Sequence, residues 1–226
     1  MRNGLKGSYP GVICNGRISV GGSQSLLKNK VLEHCGCGVV AALDLVRYLH
    51  LNHPACRTSF FTGVSDDTGL SQPLYDLCIQ RMHSGYIPVI YPVGTAGFSL
   101  AAGLNRYFRR YGLPLEARWG VAKEMLWQEI GRMLTDDLPV ILSVGNSIPL
   151  LWRKDGVALY RRVGDTMKQA RHIHAHYVTV LGIDEKWLKV TSWGREYDLS
   201  KDEFLRYRNK ESMNLLCNIV SIRYIA

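Results

Sequence analysis

Two cysteines separated by one glycine stand just before a strongly apolar stretch, in the segment Cys35-Gly36-Cys37-Gly38. A thiol is a good nucleophile only as the thiolate, and a helix N-terminus favours that anion through its dipole and free N–H groups. The glycines leave room for a substrate carbonyl, and the first N–H groups of a helix can hold an oxyanion. The sequence therefore predicts a reactive thiol at this point, on either Cys35 or Cys37.

Three histidines alternate far downstream, at His172, His174 and His176. On a single strand they would share one face, which suggests a metal site. Successive residues on one face are about 6–7 Å apart, however, which is too far for three of them to share one ion easily. We therefore expect no metal or other cofactor. His176 precedes a β-branched apolar run, so we expect it to be anchored in a strand as the base that takes the thiol proton, with the other two in the approaching loop.

The third candidate segment is Thr191-Ser192-Trp193-Gly194, which begins about fifteen residues after His176. In a hairpin, that distance returns the chain beside the histidine, where a polar side chain can orient the imidazole. Thr191 is the first candidate for this role, and Ser192 and Asp198 remain alternatives.

These segments resemble the papain-like cysteine peptidases, and in particular the bacterial domain that removes double-glycine leader peptides from bacteriocins. The helix from Cys37 resembles the Cys-Gly helix of that domain, and the strand from His176 resembles its His-aromatic-Val-x-Val-x-Gly strand. Ser192-Trp193-Gly194 is similar to the Asn-Ser-Trp-Gly of papain. The resemblance is clearest over residues 35–49 and 174–206. It implies a papain-like fold and hydrolysis of a peptide or amide through an acyl-thioenzyme.

Two departures from that family bear on the site. The family has Asn or Asp where Thr191 stands, and it has a Gln six residues before its cysteine. The same count back from Cys37 reaches Val31, whereas from Cys35 it reaches Asn29, whose carboxamide could hold the oxyanion. The helix register favours Cys37 as the nucleophile, and the upstream amide favours Cys35.

The patterning of the chain predicts helices first and a sheet second, an α+β arrangement. We expect one domain over residues 1–226, with a mainly helical half (1–135) and a mainly β half (136–226). A helix over 38–51 is apolar on most sides and should be buried. Further helices are predicted over 71–83, 99–111, 122–134 and after Ser200, and strands over 17–20, 140–144, 157–160, 174–183, 187–191 and 218–224.

The composition is that of a globular protein, with 226 residues, 46% hydrophobic and 21% charged. No apolar run is long enough for a membrane span, and residues 1–22 do not read as a secretory signal, so a cytoplasmic protein without membrane association is expected. Six cysteines are too few for a disulfide scaffold, and we expect reduced thiols. The net charge is +9, and one local cluster of basic residues lies on a predicted helix. No nucleic-acid-binding motif accompanies this cluster. We therefore favour solubility over nucleic-acid binding as the explanation of the charge.

Three functions are compatible with these residues. The leading one is a cysteine peptidase or amide hydrolase. An acyl or amide transferase would use the same Cys–His chemistry, and an inactive papain-like module that binds a peptide or protein is favoured by the missing Asn or Asp at Thr191. Trp119, Trp127 and Trp152 are candidates for lining a cleft, although tryptophans in a core of this size more often serve packing. The oligomeric state is not predicted.

Overall fold

The structure is a computed structural model, and it describes residues 3–63, 69–146 and 156–225. The described residues form six α-helices: α1 (Lys30–Cys35), α2 (Cys37–Asn52), α3 (Gln72–Gly85), α4 (Gly97–Arg110), α5 (Leu126–Thr135) and α6 (Lys201–Lys210). They also form twelve strands: β1 (Asn3–Gly4), β2 (Val12–Cys14), β3 (Arg17–Ile18), β4 (Leu70–Ser71), β5 (Leu115–Trp119), β6 (Val140–Val144), β7 (Val157–Val163), β8 (Thr166–Ile173), β9 (His176–Ile183), β10 (Trp187–Ser192), β11 (Arg195–Ser200) and β12 (Ile219–Tyr224).

Nine of these strands form one antiparallel sheet in the order β5-β12-β6-β9-β10-β11-β7-β8, and β1 pairs with β9. A small second sheet has the order β3-β2-β4. The α+β class predicted from the sequence is confirmed. Strand β5 comes from the mainly helical half of the chain and pairs with β12 of the mainly β half, so both halves contribute to one sheet.

Helix α2 lies at the centre of the core and packs on β9, β6, α3 and α4. Most of its residues are buried, as the apolar pattern of 38–51 predicts, because every side of the helix meets another element. Two of its buried side chains are charged, Asp44 and Arg47. The helix therefore carries a nucleophile candidate at its first residue and a buried carboxylate two turns later.

Several other elements begin or end away from their predicted positions. Helix α5 begins at Leu126 rather than near 122, because Lys123–Met125 form a 3₁₀ turn before it. Helix α1 and the strands β5, β8 and β11 were not predicted, since their segments mix polar and apolar residues. The β9–β10 turn at Asp184 and the helix start at Ser200 are confirmed, and Ser200 Oγ accepts a hydrogen bond from the Glu203 N–H at 3.3 Å.

The histidine segment does not form one continuous strand. Strand β8 ends at Ile173, Ala175 has a φ of 46°, and β9 begins at His176. His172 therefore belongs to β8, His174 to the bend between the two strands and His176 to β9. The expectation that His172 lies in the loop before His176 is wrong, whereas His174 does lie there as expected.

Among the described residues, no helix combines the length and the apolar character that a bilayer crossing requires.

Candidate active site

Cys37 is the first residue of α2, and Gly36 separates it from the end of α1. The backbone N–H groups of Tyr177, Gly38 and Cys37 itself face its sulfur. A side chain at position 38 would meet the Tyr177 ring at 3.3 Å, so the glycine allows this ring to lie against the start of the helix. The sulfur thus occupies the junction between the N-terminus of α2 and the first residues of β9.

Burial nevertheless raises the pKa of the Cys37 thiol above its ordinary value, and the three N–H groups only partly offset this desolvation. The thiol is therefore protonated in the resting protein near neutral pH. It gains its nucleophilicity only if a neighbouring base removes the proton.

His176 is the buried first residue of β9, and it makes two close contacts with the end of β10. Its Nε2 and the Ser192 Oγ are 2.7 Å apart and share a hydrogen bond. The Trp193 ring stacks on the imidazole with a centroid distance of 4.1 Å and an interplanar angle of 6°. When Nε2 carries the proton and donates it to Ser192, Nδ1 keeps the free lone pair and can act as the base.

The stacking of Trp193 depends on the tight turn between β10 and β11. Ser192 pairs with Arg195, and the two residues between them have positive φ angles, 49° for Trp193 and 71° for Gly194. Two positive φ angles are typical of a type I′ hairpin turn, and this conformation is unfavourable for a bulky residue such as tryptophan. The strained turn holds the indole over the imidazole.

The electrostatic surroundings of His176 keep its imidazole neutral. Burial, followed by electrostatic repulsion from Arg171 and His174, lowers the pKa of His176 from 6.5 to about 3. The Arg171 guanidinium lies 4.9 Å from the centroid of the Trp193 ring, so arginine, tryptophan and histidine are in successive contact. The resting site therefore combines a neutral thiol with a neutral imidazole.

Two adjoining cavities meet at this pair. A small inner cavity of ≈ 20 Å³ is lined by Cys37, His176 and Ser192 together with Asp44 from the middle of α2. A larger cleft of ≈ 520 Å³ adjoins it and also contacts Cys37 and His176. The apolar side chains of the cleft come from three parts of the chain: Pro92, Val93, Phe98, Trp119, Leu215 and Leu216. A substrate in the cleft would reach both the sulfur and the imidazole.

Cys35 lines the larger cleft but is not among the residues that line the inner cavity. It is the last residue of α1, and its Sγ donates a hydrogen bond to the Pro92 carbonyl at 3.3 Å. The expectation that Cys35 lies at a helix N-terminus is wrong, because a separate helix ends there. Of the two cysteines, Cys37 is the one that shares the inner cavity with His176 and Ser192.

Thr191 was the first candidate to orient the imidazole, and the structure gives it another role. Its side chain is buried and donates a hydrogen bond to the Val20 carbonyl at 2.5 Å. The next residue, Ser192, contacts the imidazole instead. Asp198 lies farther along on β11, where it pairs with Lys189 of β10.

Asn29 also has a structural role instead of the expected one. It is the exposed N-cap of α1, and its Oδ1 accepts hydrogen bonds from the N–H groups of Val31 at 2.9 Å and Leu32 at 3.2 Å. The amide that lines both cavities is that of Gln24, whose Nε2 donates to the carbonyls of Glu33 and His34. The spacing of the sequence does not point to Gln24, because α1 lengthens the segment between this glutamine and Cys37.

The tryptophans divide between the cleft and the core. Trp119 lines the cleft, whereas the Trp127 ring packs against Phe204 with a centroid distance of 5.8 Å. Trp152 lies outside the described residues. Within residues 3–63, 69–146 and 156–225, no three His, Cys, Asp or Glu side chains come close enough to hold a metal ion.

Comparison of the chain with models of protein families, with curated proteins and with solved structures gives no match.

Proposed function

We propose that this chain is a cysteine hydrolase of the papain-like type, which cleaves a peptide or amide bond with Cys37 as nucleophile and His176 as proton carrier. One observation carries the proposal. Cys37, at the start of a buried helix, and His176, hydrogen-bonded to Ser192 through Nε2, line the same cavity. The resemblance of both segments to papain-like peptidases supports it, as does the larger cleft beside the pair.

In the first half of the reaction, the Cys37 sulfur attacks the substrate carbonyl carbon while its proton passes to Nδ1 of His176. A C–S bond forms, and the carbonyl oxygen becomes an oxyanion. The backbone N–H groups at the start of α2 stabilise that charge. The C–N bond then breaks, the amine leaves with the proton from His176, and an acyl-thioenzyme remains.

In the second half, water attacks the thioester carbon and gives a proton to His176. The C–S bond breaks, the sulfur takes the proton back, and the acid product leaves. Because the resting thiol and imidazole are both neutral, proton transfer accompanies the attack. Ser192 keeps Nε2 engaged and so directs Nδ1 to the reacting proton.

A small activated ester tests the proposal without knowledge of the natural substrate. p-Nitrophenyl acetate should acetylate Cys37 and release p-nitrophenolate, and mass spectrometry of digested protein locates the acetyl group. We expect Cys37→Ala and His176→Ala to abolish or strongly slow this acetylation. Cys35→Ala is the matched control, because Cys35 lines the cleft without sharing the inner cavity.

The outcomes separate the candidate functions. Slow acetylation spread over all six cysteines would contradict the proposal. The remaining function would then be an inactive module that binds a peptide or protein, which the hydroxyl residue at Thr191 also favours. An acetyl group on Cys37 that passes to added amines faster than to water would indicate an acyl transferase.

A further inference from the structure

The proposed hydrolase carries no carboxylate or carboxamide on the strand position where papain-like enzymes have one. A buried carboxylate of helix α2 nevertheless lines the inner cavity. Asp44 lies seven residues after Cys37 on α2, which places it two turns along the same face of the helix. It is 3% exposed, and it shares the inner cavity with His176 and Ser192.

The cavity between these groups has a volume of ≈ 20 Å³. A cavity needs on the order of 10–15 Å³, measured in the same way, to hold one water molecule, and a water also needs several polar partners. The lining residues supply a carboxylate, a serine hydroxyl and an imidazole. One water can therefore connect Asp44 with the His176–Ser192 pair.

A direct chain of hydrogen bonds also joins Asp44 to the turn that carries Trp193. The Gly22 N–H donates to Asp44 Oδ2 at 2.7 Å, and the Gly22 carbonyl accepts from the Gly194 N–H at 2.9 Å. Gly194 is the second residue of the β10–β11 turn. The carboxylate thus anchors the loop against which this turn, with its stacked indole, is held.

We propose that Asp44 is a positioning residue for His176, and that it supplies the negative charge that stabilises the imidazolium formed during the reaction. The proposal rests on the proposed function and names the acidic group of the same site. In papain-like enzymes a residue on a strand orients the histidine. Here Asp44 has that role, and it lies on α2, the helix that also carries Cys37.

The two groups differ in their charged surroundings. Burial raises the pKa of Asp44 to about 6, while the Gly22 N–H, Arg47 and the Tyr75 hydroxyl limit the rise. Tyr75 donates to Asp44 Oδ1 at 2.9 Å, and the hydroxyl of Tyr9 is a further ionisable group in this region. Near neutral pH the Asp44 carboxylate is charged, whereas Arg171 and His174 oppose the protonation of His176.

The hydrolysis of acetyl-Cys37 gives a clean test, because the acylated sulfur no longer ionises and the rate depends on His176 as base. Protein acetylated with p-nitrophenyl acetate is freed of reagent, and the loss of the acetyl group is followed by intact-mass spectrometry from about pH 5 to 8.5. In the wild type we expect a rate that rises with an inflection near the Asp44 pKa of about 6. Asp44→Asn should slow deacylation about tenfold at pH 7.5 and remove the inflection.

Two further variants separate positioning from folding. Asp76→Asn is the matched control, because Asp76 is another buried carboxylate, which accepts hydrogen bonds on α3 from the Lys28 N–H and the Gln80 side chain. It should retain the wild-type rate and inflection. Tyr75→Phe removes one hydrogen bond that lowers the pKa of Asp44, so it should move the inflection to higher pH.

Each outcome bears on a specific claim. Deacylation of Asp44→Asn at the wild-type rate, with the inflection retained, would overturn the role of Asp44 and leave the proposed function intact. Should Asp44→Asn fail to fold, an unmoved inflection in Tyr75→Phe would overturn it. A wild type that never forms acetyl-Cys37 would overturn the proposed function and this inference together.

Discussion

The Nε2 atom of His176 and the Oγ atom of Ser192 lie 2.7 Å apart, so a serine at the end of β10 contacts the imidazole at the start of β9. The two strands are neighbours in the sheet, but their register shifts between Lys189 and Val190. Thr191 pairs with Thr179, and its hydroxyl turns to the Val20 carbonyl. Ser192, one residue farther along, is therefore the side chain that orients the histidine.

Ser192→Ala should slow the acetylation of Cys37 by p-nitrophenyl acetate by about ten- to a hundredfold, since hydrogen bonds to charged groups contribute roughly 1.5–3 kcal/mol. Initial rates of p-nitrophenolate release at saturating reagent measure the effect. Thr191→Val keeps the side-chain shape and removes only the bond to Val20. We expect it to lower the free energy of unfolding by about 1 kcal/mol and to leave the acetylation rate within a factor of two. If Thr191→Val slowed acetylation more than Ser192→Ala did, Thr191 rather than Ser192 would be the residue that orients His176.

Asn29→Ala should lower the free energy of unfolding by about 1 kcal/mol without changing the acetylation rate, because Asn29 caps α1. Urea unfolding followed by circular dichroism measures the loss, and Asn29→Asp should preserve most of the stability because aspartate is an equally good N-cap. A loss of acetylation in folded Asn29→Ala would instead support a role for this amide in binding the oxyanion.

The sequence predicts the long, strongly patterned elements of this fold better than its short ones. The apolar run of α2 and the strand from His176 were recognisable because long, strongly patterned segments become the buried centre of the fold. Helix α1 has only six residues and two buried side chains, which is too short for a periodic signal. Without α1, the sequence suggests that Cys35 begins a helix, although it ends one, and that Asn29 has a catalytic role, although it caps a helix.

The contact between Ser192 and His176 illustrates a different limit. The hairpin could be predicted from spacing, but the side chain that meets the imidazole depends on a one-residue register shift, which local sequence does not encode. The long-range partnership of Gly22 with Asp44 and Gly194 is likewise set by tertiary packing. The positions of Cys37 at a helix start and of His176 on a strand were therefore predictable, whereas the contacts around them required the structure.

Alkylation of Cys37 by iodoacetamide should accelerate continuously as the pH rises from about 6 to beyond 9, because burial raises the pKa of this thiol. Rates are measured by mass spectrometry of the Cys37 peptide, with Cys35→Ser used to remove the neighbouring thiol. A plateau of fast alkylation already at acidic pH would contradict the neutral resting pair. It would show instead that Cys37 and His176 form a thiolate–imidazolium pair before substrate binds.

Protein stability should fall on acidification because of His176. Its pKa is about 3 in the folded protein and 6.5 when unperturbed, so between these values the unfolded chain binds a proton that the folded protein does not. The contribution is complete above about pH 6.5 and is lost progressively as the pH falls towards 3. Between about pH 7.5 and 5 it amounts to about 2 kcal/mol of unfolding free energy. Asp44, whose pKa is raised to about 6, contributes with the opposite sign, since its stabilisation is lost as the pH rises.

The comparison with His176→Gln isolates this contribution, because Asp44 and the other titrating groups are common to both proteins. Urea unfolding curves at several pH values between 5 and 7.5 should show that the wild type loses about 2 kcal/mol more than the variant on acidification. His172→Gln is the control, as His172 is an exposed residue of β8, and it should keep the wild-type slope. If the unfolding free energies of the wild type and His176→Gln changed equally with pH, the imidazole would be accessible to protons in the folded protein. The pair of neutral Cys37 and neutral His176 on which the proposed mechanism depends would then be contradicted.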